Sequence, residues 1–341
     1  ETNLENNQVN RTVTILSESV VAYRYYTYDH LVAELKYIET QYGNIVKLHD
    51  IGDSVEGRDI WAIKISDNPL LEENDEPDIL YVSGEHGNEW LPIQVLMYFL
   101  NNLTKDYGTD PNITYIVNNK EIWIVPMANP DGVEYSQQVY GKWRKNRRPV
   151  DLNGNWVTDV YGVDLNRNYG YKWGENGSNE DPFSEKYRGP KPFSEPEVRA
   201  IRDLVFTHDF IASLSCHCYG KKILYPWGYT RELAPDAKRL KTIAEAMAPK
   251  EWLEGPYPVV VQCSNLSDDG QNAGNSIDYL YGTFNIFSFG IEIGDGFLAE
   301  GADKKIGETC QEVLPTCLYL ANISRPKAPT ELKISISGNN V

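Results

Sequence analysis

Residues 79–103 read ILYVSGEHGNEWLPIQVLMYFLNNL, and this stretch decides the fold. Its first five residues form a short apolar run typical of a buried strand, whereas residues 91–103 have the length and composition of a buried helix. Between them, Gly84-Glu-His-Gly-Asn-Glu89-Trp places polar residues where the strand ends and the helix begins. A strand followed by a buried helix is the repeating unit of α/β proteins.

The same alternation of strand and helix patterns continues along the chain. Apolar runs predict strands at 45–51, 60–65, 122–127, 211–216 and 286–293. Apolar residues at helical spacing predict helices at 31–38, 198–205, 234–248 and 304–320. We therefore predict an α/β fold, a single domain with a central mixed, largely parallel, twisted sheet and helices on both faces.

Two short motifs mark where a strand ends and where a helix begins. One long segment shows no periodicity of a strand or a helix. Asn129-Pro-Asp-Gly132 combines residues that favour turns and predicts a break after the strand at 122–127. Ser194 and Glu197 match a capping box, which predicts a helix start. Residues 141–192 are rich in Gly, Asn, Tyr and Pro and show little periodicity. Such a long irregular segment in a compact domain is usually functional.

Length and charge restrict the class of protein. The chain has 341 residues, with 32 Lys and Arg against 49 Asp and Glu, and a net charge of −17. This charge repels phosphate backbones and argues against nucleic acid as a partner. No apolar run approaches the roughly 18 residues that a membrane span needs. We expect an N-terminal tail over 1–24, a catalytic domain over 25–325, and a linker with the first strand of a truncated module over 326–341.

Sequons and cysteines bear on where the protein works. The chain begins at Glu1, so a signal peptide is absent or already removed. Six Asn-x-Ser/Thr sequons favour a secreted or cell-surface protein. An odd number of cysteines leaves at least one thiol free, and both a disulfide and buried free thiols stay open. The five are Cys216, Cys218, Cys263, Cys310 and Cys317.

Three residues have the chemistry of a zinc site. His86 and Glu89 lie three residues apart at a strand-to-helix joint, where both can face one point. A catalytic Zn²⁺ takes three protein ligands and keeps one position open. His217, directly after a predicted strand, is the third candidate because α/β sites form at strand ends. Cys216 and Cys218 are alternative ligands, but neighbours in an extended segment point to the opposite face.

Glu292 is the candidate for a catalytic base. It lies in the apolar segment Gly290-Ile-Glu-Ile-Gly294, which predicts burial. A buried acid has to be paired or functional. A hydrolytic zinc site also needs a carboxylate base that is not itself a ligand. We predict that Glu292 is this base, with a salt bridge to an arginine as the structural alternative.

Nine motifs follow one another between about Tyr25 and Leu320. They are Gly52-Asp-Ser-Val-Glu-Gly-Arg58, Asn129-Pro-Asp-Gly132, Trp143-Arg-Lys-Asn-Arg147, Gly162-Val-Asp-Leu-Asn-Arg-Asn168, Tyr169-Gly-Tyr-Lys-Trp173, Tyr187-Arg-Gly189, Phe193-Ser-Glu-Pro-Glu197, Leu224-Tyr-Pro-Trp227 and Ser276-Ile-Asp278. In this order the chain resembles the zinc metallocarboxypeptidases of the carboxypeptidase A/B type. It is most similar to the bacterial carboxypeptidase T branch.

The resemblance implies roles for residues around the metal. It puts the zinc ligands at the three positions named above and the general base at Glu292. Arg144 matches the arginine that stabilises the oxyanion. Asp164 matches the acid that orients the first zinc histidine.

The resemblance also implies a substrate site. Asn166 and Arg167 match the pair that grips the terminal carboxylate of the substrate, and the planar fork of Arg167 suits a carboxylate. Tyr219 and Ile277 match positions that contact the substrate. Members specific for basic C-terminal residues carry an acid at the position of Ile277, so this chain is expected to prefer apolar or aromatic residues.

Two positions depart from the family pattern. The family usually has arginine directly before the glutamate ligand, and here that position is Asn88. The family also has a mobile tyrosine eight residues before Asp278, where this chain has Gly270. Asn272 and Asn275 make the same loop polar. These departures affect the outer grip on the substrate, and hence specificity, rather than the zinc and base chemistry.

The acidic run over 72–78 has two interpretations. Its carboxylates suit Ca²⁺, as similar loops do in the carboxypeptidase T branch, or they form a solvated charge run. For the whole chain, we predict a secreted, monomeric zinc exopeptidase that acts on peptide and protein C-termini. Asn88 and Gly270 suggest hydrolysis of cell-wall peptides or another amide as an alternative. A non-catalytic peptide-binding surface module is a further alternative.

Overall fold

The computed structural model describes residues 25–149, 162–255, 258–266, 270–297 and 302–323. The predicted tail over 1–24 and the predicted linker and strand over 326–341 lie outside these residues. Within the described part, no helix is long and apolar enough to cross a membrane.

Eight strands of the described chain form one sheet, in the order β1-β2-β4-β3-β5-β8-β6-β7. Neighbouring strands are parallel through the centre, from β4 through β3 and β5 to β8. Antiparallel pairs join β1, β2 and β4 on one side and β8 to β6 on the other. The strands are β1 (Val46–Asp53), β2 (Asp59–Ile65), β3 (Asp78–Ser83), β4 (Glu121–Val125), β5 (Phe210–His217), β6 (Lys222–Tyr225), β7 (Val260–Gln262) and β8 (Phe287–Glu292).

Helices cover both faces of this sheet. On β3, Ile79 and Tyr81 pack into one apolar cluster and Leu80 and Val82 into another, because successive side chains point to opposite faces. The first cluster includes residues of α1, α2, α3, α6 and α9, and the second those of α5 and α8. The predicted α/β fold is thus confirmed. The helices are α1 (Tyr28–Tyr42), α2 (Leu91–Asp106), α3 (Pro111–Val117), α4 (Pro130–Gln138), α5 (Pro196–Thr207), α6 (Ala237–Met247), α7 (Lys250–Leu253), α8 (Ser276–Phe284) and α9 (Ala302–Ala321).

The break predicted after the strand at 122–127 is present, and helix α4 begins within the Asn129-Pro-Asp-Gly132 motif. Pro130 is its first residue, where the missing N–H of proline costs no hydrogen bond. The side-chain oxygen of Asn129 accepts a hydrogen bond from the N–H of Gly132 at 2.9 Å. The motif that ends the strand therefore also caps the next helix.

The helix predicted from Ser194 and Glu197 is present, but its capping box is wrong. Helix α5 begins at Pro196, and its N-cap residue Glu195 makes no side-chain capping bond. The carboxylate of Glu197 accepts instead from the N–H of Val55 at 3.1 Å. The carboxylate oxygen that a local capping box would use thus binds a residue distant in sequence.

The five cysteines are buried and free.

Candidate active site

Three parallel neighbours, β3, β5 and β8, bring the predicted metal ligands and base to one edge of the sheet. His86 and Glu89 lie between the end of β3 and the start of α2. His217 is the last residue of β5, and it pairs in register with Glu292, the last residue of β8. Carboxyl ends of parallel strands meet at the same edge, so residues far apart in sequence converge there.

The two histidines and Glu89 form a compact, buried group. Nδ1 of His86 lies 2.8 Å from Oε1 of Glu89, and Nδ1 of His217 lies 3.0 Å from Oε2. The two Nδ1 atoms are 3.2 Å apart. Tetrahedral zinc with bonds of about 2.0 Å needs ligand atoms about 3.3 Å apart, so the group fits Zn²⁺. The alternative ligands Cys216 and Cys218 are described but do not belong to this group.

Asp164 stands behind His86. Its Oδ1 lies 3.3 Å from Nε2 of His86, and its Oδ2 accepts hydrogen bonds from Nε and Nη2 of Arg144 at 3.1 and 3.0 Å. Burial opposes ionisation, but the positive charges of Arg144 and Arg167 outweigh it and hold the pKa of Asp164 well below its usual range. An ionised acid at this position can orient the ring of His86.

Glu85 stands behind His217, and sequence reasoning did not single it out. Its Oε1 accepts a hydrogen bond from the hydroxyl of Tyr169 at 2.7 Å. Its Oε2 accepts from the hydroxyl of Ser215 at 3.1 Å and lies 3.3 Å from Nε2 of His217. Burial lowers the pKa of His217, but hydrogen bonds to Glu85 and Glu89 outweigh it and raise that pKa to about 10. The available signal was an acid directly before a ligand, two residues after an apolar run that predicts a buried strand.

Glu292 is partly exposed and has a pKa suited to a base. Burial, with the neighbouring charge of Glu89, raises the pKa of Glu292 to about 7. Bound Zn²⁺ would lower this value, since a cation favours the ionised form. A carboxylate with a pKa near the working pH can accept a proton and release it again. The structural alternative, a salt bridge from Glu292 to an arginine, is absent among the ion pairs of the described residues.

Arg144 lies beside the ligand group and is partly exposed. Its side chain is 23% exposed, and Nη1 is 3.8 Å from Oε1 of Glu89. The bonds to Asp164 use Nε and Nη2, and they hold the guanidinium plane beside the metal ligands. A charged donor at this place suits developing negative charge.

Arg167 is buried but keeps donor capacity. Its Nε donates to the carbonyl of Gly177 at 3.0 Å and its Nη1 to that of Asn166 at 2.6 Å. Among the described residues Nη2 has no hydrogen-bond partner. Oδ1 of Asn166 accepts from the N–H of Ser276 at 2.9 Å, and its Nδ2 is 3.2 Å from Nε2 of His217. Asn166 is thus held beside the ligand His217, and Arg167 is held beside Asn166.

The other two predicted substrate residues lie at different depths. Tyr219 follows His217 by two residues, is exposed, and packs edge-on against Phe297 with ring centroids 5.0 Å apart. Ile277 is buried in a small apolar cluster with Leu224 and Cys263. Its side chain fills the space that a Cβ at Gly290 would need. The position at which members specific for basic residues carry an acid is therefore apolar in this chain.

The two positions that depart from the family pattern, Asn88 and Gly270, both lie among the described residues. Asn88 is buried, and its Oδ1 has no hydrogen-bond partner among the described residues. Gly270 has φ of +69°, a conformation that disfavours side chains. A Cβ there would lie 2.9 Å from Nη2 of Arg231. Tyrosine at this position would require both a strained backbone and a shift of Arg231.

Sequence and structural relatives agree with this geometry. The family model described as zinc carboxypeptidase matches residues 31–316. The chain belongs to the zinc carboxypeptidase family. It is 32% identical over 295 residues to carboxypeptidase A2 of Rattus norvegicus, covering 84% of this chain and 67% of that protein. It is 33% identical over 288 residues to the zinc carboxypeptidase of Saccharothrix mutabilis subsp. capreolus, covering 79% and 62%.

Solved structures share the fold of this zinc carboxypeptidase. Thrombin activatable fibrinolysis inhibitor superposes with a TM-score of 0.80 at 27% identity, covering 89% of this chain and 75% of that one. Carboxypeptidase A from Helicoverpa armigera superposes with a TM-score of 0.77 at 27% identity, covering 90% and 77%. The chain spans about two thirds of the length of its sequence relatives. The particular similarity to the carboxypeptidase T branch stays a prediction.

Proposed function

We propose that this member of the family is an exopeptidase that hydrolyses the C-terminal peptide bond of peptides and proteins. In this proposal His86, Glu89 and His217 hold one Zn²⁺. Zinc, when bound, supplies the Lewis acidity that polarises the scissile carbonyl and activates water. The observation that carries the proposal is the convergence of this ligand group with a carboxylate base and two arginines at one edge of the sheet.

The chain's own side chains supply the remaining chemistry. Glu292 accepts a proton from the attacking water and returns it to the leaving amine. Arg144 donates to the oxygen that becomes negative in the transition state. Arg167 uses its unpartnered Nη2, with Asn166 beside it, to bind the terminal carboxylate of the substrate. Asp164 holds the ring of His86 and fixes Arg144.

Metal analysis and product analysis together test the proposal. The purified protein should contain one zinc per chain, and a blocked dipeptide should release only its C-terminal amino acid. Free and C-terminally amidated peptides should differ strongly in rate, because only the free peptide offers a carboxylate to Arg167. Equal cleavage of both would instead favour the cell-wall peptide or amide hydrolase suggested by Asn88 and Gly270. Zinc without any turnover would favour the peptide-binding module.

We propose a preference for apolar or aromatic C-terminal residues. The support is Ile277, buried with Leu224 and Cys263, in the cluster beside Gly290. Such a surface offers no charge to a basic side chain, whose burial without a partner is costly. Peptides that end in Phe, Leu, Lys or Glu, with the rest of the sequence constant, should rank in favour of Phe and Leu.

We propose further that the protein works outside the cell as a monomer. Four of its sequons lie at exposed positions, Asn112, Asn176, Asn265 and Asn322. Detection of the protein in the culture medium of its source, rather than in the cell fraction, would support this location. Sedimentation equilibrium gives the mass in solution, and 38.8 kDa is the expected value.

We also propose a structural Ca²⁺ at the start of the acidic run. Carboxylate oxygens of Asp67, Glu73 and Glu76 lie within 4.8 Å of one another. Oε2 of Glu76 is buried and has no hydrogen-bond partner among the described residues. Oxygen ligands of this kind suit Ca²⁺. Calorimetric titration should show that calcium binds and that Glu73→Gln weakens this binding. If the titration gives no heat, the acidic run is a solvated charge run and not a calcium site.

A further inference from the structure

Each histidine of the proposed zinc site has a buried carboxylate behind the nitrogen that faces away from the metal. Behind His86 this carboxylate is Asp164, which the family resemblance implies. Behind His217 it is Glu85, to which nothing in the resemblance gives a role. The inference below rests on the proposed ligand set, since it concerns how His217 is held.

With Nδ1 bound to a metal, the neutral ring of His217 carries its hydrogen on Nε2, and that hydrogen needs an acceptor. Three polar atoms lie near Nε2: Oγ of Ser215 at 3.0 Å, Nδ2 of Asn166 at 3.2 Å and Oε2 of Glu85 at 3.3 Å. The amide nitrogen of Asn166 is a donor and cannot accept a hydrogen bond. Oγ of Ser215 in turn donates its own hydrogen to Oε2 of Glu85 at 3.1 Å. The two acceptors near Nε2 are therefore Oε2 of Glu85 and Oγ of Ser215, and the latter is itself oriented by Glu85.

A hydrogen on Nε2 leaves the lone pair on Nδ1, the atom that faces Glu89 and His86. This is the tautomer that a metal ligand needs. The ring is held on its far side, so its direction toward the metal does not depend on the metal.

Glu85 is itself anchored before any ligand binds. Its side chain is 2% exposed, and Oε1 accepts from the hydroxyl of Tyr169 at 2.7 Å. Tyr169 is 1% exposed and packs against Tyr279 and Phe193. Since both oxygens have donors, the carboxylate has a single orientation, and that orientation points Oε2 at His217.

We propose that Glu85 is a positioning residue for zinc, which fixes the tautomer and ring direction of His217 through Oε2 and the hydroxyl of Ser215. Partners of this kind typically contribute 10- to 100-fold to metal affinity. Glu85 and Asp164 then form a matched pair, one for each histidine ligand.

The test measures zinc release from the holoenzyme into excess chelator. Glu85→Gln removes the negative charge and replaces one of the two acceptor oxygens with an NH2 donor, so Tyr169 and His217 can no longer both face an acceptor. Zinc should therefore dissociate roughly 10- to 100-fold faster than from the parent. Glu85→Asp keeps the carboxylate and should recover part of the difference. The cobalt-substituted Glu85→Gln protein should also show a changed visible absorption spectrum, which a loss of stability alone would not produce.

Glu197→Gln is the matched control, because Glu197 is also a buried glutamate and lies outside the metal group. It should release zinc at the parental rate. Ser215→Ala removes the relayed hydrogen bond with a smaller change in volume, and it should accelerate zinc release less than Glu85→Gln. It also keeps the proposal testable if Glu85→Gln does not fold.

His217→Ala separates the two proposals. If it loses zinc while Glu85→Gln and Ser215→Ala release zinc at the parental rate with an unchanged cobalt spectrum, the positioning role is overturned and the ligand set stands. If His217→Ala keeps zinc, the ligand set itself is wrong. Faster release from Glu85→Gln and Ser215→Ala, but not from Glu197→Gln, is the result that the geometry predicts.

Discussion

The parallel strands carry acidic clusters at both of their ends, and the two ends handle charge in different ways. At the carboxyl ends, Glu89 and Asp164 are surrounded by histidine and arginine, and these neighbours hold both pKa values below the usual range. At the amino ends, Asp78 and Glu121 begin β3 and β4 side by side. Burial raises the pKa of both, and that of Glu121 to about 7.

The difference lies in where the cation comes from. At the amino ends the chain provides its own cation: Nζ of the buried Lys64 is 2.8 Å from Glu121 and 3.1 Å from Glu72. At the carboxyl ends Arg144 pairs with Asp164, while the facing Nδ1 atoms and Glu89 are left for a metal. A cluster filled by lysine is structural, whereas one with converging, preoriented ligands can bind and act. Four predictions test this contrast.

The largest expected effect is at the carboxyl ends. Glu292→Gln removes the base but no ligand, so kcat should fall by about 10²- to 10⁴-fold. Zinc content should stay at one per chain, measured by metal analysis. A variant with lost zinc, or with near-parental kcat, would contradict the assignment of Glu292 as a base.

Lys64→Met tests whether the amino-end cluster is structural. Removing one partner of a buried ion pair commonly costs about 3–5 kcal/mol, because the other charge is left uncompensated. The free energy of unfolding should fall by that order in a denaturant titration, while kcat/KM of the folded fraction stays near the parental value. Lys241→Met, at a surface pair 3.7 Å from Glu245, is the control and should change little. A large loss of kcat/KM in folded Lys64→Met would remove the contrast between the two ends.

Arg167→Ala tests the grip on the substrate at the carboxyl ends. Charge-assisted hydrogen bonds contribute about 1.5–3 kcal/mol, so kcat/KM should fall roughly 10- to 150-fold. With Gly270 in place of the family tyrosine, fewer groups share the carboxylate, and the loss should lie at or beyond the upper end. For C-terminally amidated peptides, kcat/KM should hardly change on the substitution. An equal loss for free and amidated peptides would show that Arg167 does not bind the carboxylate.

The smallest expected effect concerns pH and calcium at the amino ends. Burial, with the charges of Glu73 and Asp67, raises the pKa of Glu76 from 4.5 to about 7. An acid with a raised pKa in the folded state stabilises below its unfolded pKa, and this contribution is lost as the pH rises toward 7. The melting temperature should therefore fall between pH 5 and pH 8. Calcium should oppose this fall, because it favours the ionised carboxylates.

Glu76→Gln provides the control for that prediction. The amide does not ionise, so this part of the pH dependence should disappear along with most of the calcium effect. A variant that keeps both would show that other groups are responsible.

The match between sequence and structure depends on how local each signal is. His86 and Glu89 are three residues apart, so a strand-to-helix joint was enough to predict that they face one point. His217 was found because it follows an apolar run, and ends of strands are where α/β sites form. Glu292 was found because an acid inside an apolar segment has to be paired or functional. The capping box failed for the opposite reason, because the N–H of Val55, distant in sequence, binds the carboxylate of Glu197.

The sequence by itself determined the α/β class, the main strands and helices, and the three residues that suit zinc, because periodicity and burial pattern are properties of neighbouring residues. The tertiary structure alone decided the order of the strands and the contacts of Glu85. Glu85 meets Ser215 across 130 positions of the chain, through parallel pairing of β3 with β5. No local pattern encodes that contact, since it exists only when packing of the whole sheet sets the register of two distant strands.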